Sequence, residues 1–210
     1  MRTLRAIRYR QPLAYISTPI TSGIKLYQLQ LEHPNKDKKE LMKTVMDYNY
    51  REGWGLVEKV LERRRCNALY PADLVPARQK WQQEDFQALW LSIIAEMCTE
   101  LHMCAGWNFS NGGIEELIHV FQLKLGLPQH KGFIFYNTKG DEAIERDRMR
   151  SIAVFDDRGN PITIADTIRE VEQATSWLKR QRLPFPTAHH TSCLKTLLWT
   201  QKKIQEGFYQ

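Results

Sequence analysis

Apolar positions along the chain follow two rhythms, and the change from one to the other marks the elements. "PLAYIST" at 12–18 is a short continuous apolar run closed by Pro19 and then by Thr21, Ser22 and Gly23, which reads as a buried strand followed by a polar loop. "CNALYPADLVP" at 66–76 reads as a short strand and a proline-rich loop. The segment 101–104 and "KGFIFYN" at 131–137 are further strand-like apolar runs. Between these runs the apolar step lengthens to three and four residues. From about 38 to 64 the pattern is helical, with Trp54, Val57, Val60 and Leu61 on one face and Gly53 and Gly55 as interruptions. Phe86, Leu89, Trp90, Ile93, Ile94 and Met97 predict a strongly amphipathic helix. Ile114, Leu117, Ile118, Phe121 and Leu125 predict another, ended by Gly126 and Pro128.

Strand and helix in alternation are the signature of a mainly parallel sheet with helices on both faces. The expected fold class is therefore α/β, Rossmann-like in the flavodoxin-like manner. Ligands of such sheets bind outside the carboxyl ends of the strands. The loop after the first strand and the loop "GWNFSNGG" at 106–113 both lie at such ends, so one cleft is expected to hold both. The α/β domain is expected over 1–150. Residues 151–210 differ in texture: a strand-like run, a turn at 157–160, and helices marked by Ile168, Val171, Ala174, Thr175 and Leu178 and by Leu194, Leu197, Leu198 and Ile204. They are expected to form a strand and helical C-terminal extension packing on the domain or on a partner subunit.

Composition narrows the class of function. At 210 residues, 42% hydrophobic and 26% charged, the chain is long enough for one good core and an appended element. The N-terminus "MRTLRAIRYR" is basic without the apolar run of a signal peptide, and no stretch approaches a membrane span, so a cytoplasmic protein with no membrane partner is expected. Cys66, Cys98, Cys104 and Cys193 lack any CxxC spacing, which predicts buried thiols and no metal site. A net charge of +6 favours anionic partners. The basic residues are interleaved with acids and apolar positions, so nucleic acid is the less favoured partner.

The stretch "AGWNFSNGGIEELIHVFQLKLGLP" at 105–128 carries the candidate chemistry. Helix-end N–H groups favour an anion, which suits either Glu115 and Glu116 or a bound phosphate. With Gly113 as N-cap, Glu116 falls at the third helical position and reads as half of a capping box. Tyr15 on an apolar strand, Trp107 as a cover over the sheet edge, Ser110 as an ordinary loop hydroxyl, and His102 and His119 in the core are the structural alternatives.

"YISTPITSG" followed by "LYPADL" and then "GWNFSNGGIEELIHVFQLKLGLP" resembles the nucleoside 2-deoxyribosyltransferase-like proteins, in particular a small bacterial and phage branch. The likeness rests on Gly106, Trp107, Ser110, Gly112, Glu116 and the Leu125-Gly126-Leu127-Pro128 ending. It spans roughly 13–137, with an apparent insertion between Gly23 and Arg51, and leaves the tail aside. The resemblance implies Glu116 as nucleophile on the anomeric carbon of a nucleoside or its 5′-monophosphate, with Tyr15 positioning it. It further implies Pro19, Trp107, Asn108, Ser110, Gly112 and Gly113 around the substrate, no cofactor, and a homo-oligomer whose subunits complete one another's sites. The acid that protonates the leaving base has no clear counterpart: Thr99, Glu100 and Asp85 are the nearest residues. Three functions follow as expectations: an N-glycosidase or deoxyribosyltransferase, a nucleotide-binding or sensing module without the chemistry, and a basic nucleic-acid-associated protein.

Overall fold

The computed structural model describes residues 12–74, 81–125, 152–182 and 185–206. Four strands, β1 (Leu13–Ser17), β2 (Asn67–Leu69), β3 (Glu100–Met103) and β4 (Ala153–Phe155), form one sheet in the order β2-β1-β3-β4, every pair parallel. Six α-helices accompany them among the described residues: α1 (Ile24–Glu32), α2 (Lys38–Arg63), α3 (Gln83–Met97), α4 (Asn111–Leu123), α5 (Ile164–Lys179) and α6 (Ala188–Gln205). The expected α/β class, with a mainly parallel sheet and helices on both faces, holds. "KGFIFYN" and the Gly126–Pro128 helix end lie outside the described residues.

Alternation of side chains along β1 separates two cores. Leu13 and Tyr15 join Leu101 and Met103 of β3, facing Ile94 of α3 and Ile114 and Leu117 of α4. Ala14 and Ile16 face the other way, onto Leu56, Val57 and Val60 of α2. α2 is unbroken despite its two glycines. Gly53 is there for space: a Cβ would lie 2.2 Å from the Tyr70 hydroxyl. The buried face of α2 runs through Val45, Asn49, Gly53, Leu56, Val57 and Val60, so Trp54 and Leu61, expected inward, are 39% and 47% exposed. Val57 and Val60 are inward as expected, and the face passes through Gly53, a small residue that a count of large apolar positions passes over.

α1 carries no signal strong enough to predict it and fills part of the apparent insertion after Gly23. It packs on α2 through Leu26, Leu29, Leu41 and Val45. At α3, Asp85 accepts from the Gln82 N–H at 2.9 Å, and at α5 Thr163 and Asp166 cap reciprocally. β4, from the strand-like run at the start of the 151–210 segment, is a full member of the sheet. α5 and α6 pack on each other and on α4, with Ile168, Val171, Cys193 and Leu197 in the main core and Gln122 donating to Thr200 at 3.2 Å. Leu198, expected inward, is 49% exposed. His102, His119 and all four cysteines are buried, the cysteines as free thiols.

Candidate active site

The order β2-β1-β3-β4 places the topological switch point between β1 and β3, because the chain leaves β1 toward one edge and enters β3 on its other side. The loops after these two strands meet there. Ser22, in the first, donates to Ser110, in the second, at 3.1 Å. Each loop turns on a left-handed glycine: Gly23 (φ 88°) packs on Pro19, and Gly106 (φ 78°) on Ile24. Asn49, 6% exposed on α2, holds the first loop from below by donating to the Ile20 and Ser22 carbonyls at 3.2 and 3.0 Å.

The N-cap of α4 is Ser110, whose hydroxyl accepts from the Gly113 N–H at 3.4 Å. Glu116 therefore lies in the second turn, past the positions where a side chain can reach back to the cap, and the capping-box reading of Glu116 is corrected. Its carboxylate instead turns to β1. The Tyr15 hydroxyl donates to Oε1 at 2.7 Å, and the Ser17 hydroxyl donates to Oε2. Residues 15 and 17 share one face of the strand by its two-residue period, so both hydroxyls converge on one helix position.

Glu116 keeps some exposed surface, yet its neighbours are dense enough to raise its pKa to about 7. Burial is the main cause, and the neighbouring Glu115 charge adds to it. The hydrogen bonds from Ser17 and Tyr15 oppose the rise. Tyr15 is pushed well above an ordinary phenol, first by burial and then by the Glu116 charge, and so stays a donor. The result is a carboxyl whose pKa is raised toward neutrality, held between two hydroxyls at the carboxyl end of a parallel sheet. Such a group can act as nucleophile, base or acid.

The other predicted positions divide. Ser110, Gly112 and Gly113 form the start of α4, within two turns of Glu116 on the same helix, and the space around Gly112 is open. Pro19 is buried in the β1 loop. Trp107 is 7% exposed and lies under Gly113, where a Cβ would meet the Trp107 carbonyl oxygen at 3.1 Å, so it packs in the core. Asn108 faces the tail, donating to the Glu170 side chain at 3.2 Å and accepting from His190 at 3.2 Å. The three residues considered for the leaving-group acid are engaged elsewhere: Thr99 with the Leu13 carbonyl, Glu100 with Arg64 and His102, and Asp85 at its cap.

Ser17, Ser22 and Asn49 escaped the sequence reading. Ser17 had a signal, since it sits two residues beyond Tyr15, whereas Asn49 is one polar residue in a helical pattern. His189, at the start of α6, also arrives only through the fold, with Nε2 3.0 Å from the Glu115 carboxylate. The chain matches no family model, no curated protein and no solved structure.

Proposed function

We propose that the protein cleaves the N-glycosidic bond of a nucleoside or nucleoside 5′-monophosphate, with Glu116 as the nucleophile. The carrying observation is the convergence of Tyr15 and Ser17 on the Glu116 carboxylate at the sheet's switch point. Ionised Glu116 attacks the anomeric carbon as the carbon–nitrogen bond breaks, and the bonding pair leaves with the base, which takes up a proton. A glycosyl ester remains, and water or a second base displaces it. The positive charge developing on the sugar in the transition state is stabilised by the same carboxylate. Tyr15 and Ser17 fix its orientation, which lowers the cost of positioning. A 5′-phosphate would meet the N–H groups of Asn111 and Gly112, since those of Ser110 and Gly113 are donated to the Trp107 carbonyl and the Ser110 hydroxyl, and Gly112 leaves the approach open.

Incubation with a panel of nucleosides and 5′-monophosphates, followed by chromatography for free base, tests this reading. A second reading, a nucleotide-binding module without turnover, is favoured by one observation: both Glu116 oxygens and the Ser110 hydroxyl already have partners within the protein. Equilibrium binding of a nucleotide with no base released would establish that second reading in place of the first.

A further inference from the structure

On the face of the sheet opposite Glu116, a groove of about 570 Å³ runs between the carboxyl-terminal half of α2, the strand β3 and the turn after β4. Its volume is that of a small-molecule site. Lys59, Arg63, Arg64, Arg65 and Arg158 line it together with three carboxylates, Glu100, Asp156 and Asp157. Two of those carboxylates are spent locally. Glu100 binds Arg64 at 3.1 Å and His102 at 2.8 Å. Asp156 folds its own turn, accepting from the N–H groups of Arg158 and Asn160 at 2.9 and 2.7 Å.

Arg64 belongs to the floor as well, since its guanidinium lies 4.2 Å over the Phe155 ring, on which His102 also stacks. Burial lowers the His102 pKa, so this floor is close to neutral. That leaves Lys59, Arg63, Arg65 and Arg158 around the rim, with Asp157 as the third carboxylate among them. Among the described residues none of these cations is within ion-pair distance of a carboxylate.

Cations in the last turn of a helix complement its dipole, and that accounts for Arg63. It does not account for Arg65, beyond the helix, or Arg158, which comes from another element. Arg63 ties the two rims together by donating to the Arg158 carbonyl at 2.9 Å. Lys59 and Arg63 stand four residues apart on one helix face, so their charges project side by side. Set against Glu100, Asp156 and Asp157, the five cations of the lining leave a net charge of about +2 with His102 neutral, which a phosphate group, carrying about two negative charges, would balance. We propose that this groove binds the phosphate portion of a small molecule, at a site separate from Glu116. The proposal is independent of the glycosidase reading.

Calorimetric titration of the full chain with inorganic tripolyphosphate, at low salt to limit screening, tests it. This probe carries no glycosidic bond and isolates the phosphate chemistry. Saturable binding is expected, weakened roughly tenfold or more by combined Lys59→Ser, Arg65→Ser and Arg158→Ser substitutions. All three side chains are exposed, and circular dichroism checks that the fold is kept. Glu116→Gln is expected to leave binding unchanged. As a second measurement on the unaltered chain, amide NMR shifts on adding tripolyphosphate are expected at Cys66 and Gly159 and not at Gly112. No binding to the unaltered chain, equal binding by the triple variant, shifts centred on Gly112, or binding of a single-stranded oligonucleotide in place of tripolyphosphate would each overturn the proposal.

Discussion

Tyr15 and Glu116, 101 positions apart, share a hydrogen bond of 2.7 Å across the sheet–helix boundary. With Ser17 on the other oxygen, it makes the protonation of one carboxyl depend on two strand hydroxyls.

Glu116→Gln is expected to reduce base release by orders of magnitude, because an amide is no nucleophile. Its effect on stability has a definite sign. The folded carboxyl keeps its proton up to about pH 7, while an unfolded glutamate loses it near its ordinary value of about 4.3. Between these limits the folded state binds more protons, so stability falls as pH rises and stays lowered above about 7. The glutamine variant escapes that cost. Its Tm is expected to exceed that of the unaltered chain by a few degrees above pH 7 and to match it below about pH 4, measured by calorimetry across pH. A lower Tm at every pH would make Glu116 a structural group.

Glu115→Gln removes a charge that raises the Glu116 pKa. Activity is expected to persist, with the rising limb of the pH–rate profile moved to lower pH. A loss as deep as that of Glu116→Gln would assign the chemistry to the pair.

Tyr15→Phe and Ser17→Ala each delete a donor that lowers the Glu116 pKa, so the same limb is expected to move to higher pH and the rate at neutral pH to fall. Titration of the Glu116 carboxyl by carbon-13 NMR reads the shift directly. Tyr15→Phe keeps the ring that fills the core, so folding is expected to survive. An unmoved titration would show that the two hydroxyls contribute nothing to the site.

Asn49→Ala leaves the Ile20 and Ser22 carbonyls of the β1 loop without this donor. A stability loss of about 1–3 kcal/mol is expected from denaturant titration, with base release reduced through loss of the β1 loop. Activity unchanged despite that loss would separate the loop from the site.

Gly53→Ala places a methyl group 2.2 Å from the Tyr70 hydroxyl. Overpacking of this kind costs about 1–3 kcal/mol. Gly55→Ala, with nothing within 4 Å, is the control and is expected to be neutral or stabilising in the same helix.

What the sequence by itself determined is local. The three- and four-residue rhythm of Phe86 to Met97 and of Ile168 to Leu178 follows from helix geometry, and the apolar runs at β1 and β3 from burial on both faces. Together they dictate an α/β sheet and the ends at which loops gather. The same rhythm misjudged Trp54 and Leu61, because the buried stripe of α2 passes through Gly53, which packs closely on Tyr70 and carries no apolar side chain to count. It also took Gly113 as the N-cap, whereas the cap is Ser110. Only the tertiary structure decided that point, through the hydrogen bond from Ser22 that accompanies the Ser110 cap. That choice moves Glu116 from the cap into the second turn, facing β1. Tyr15 and Ser17 reach it because β1 and β3 pair in one register and α4 begins directly after β3. His189 reaches Glu115 because α6 packs on α4. Such meetings arise from long-range packing, which residue spacing along the chain does not encode.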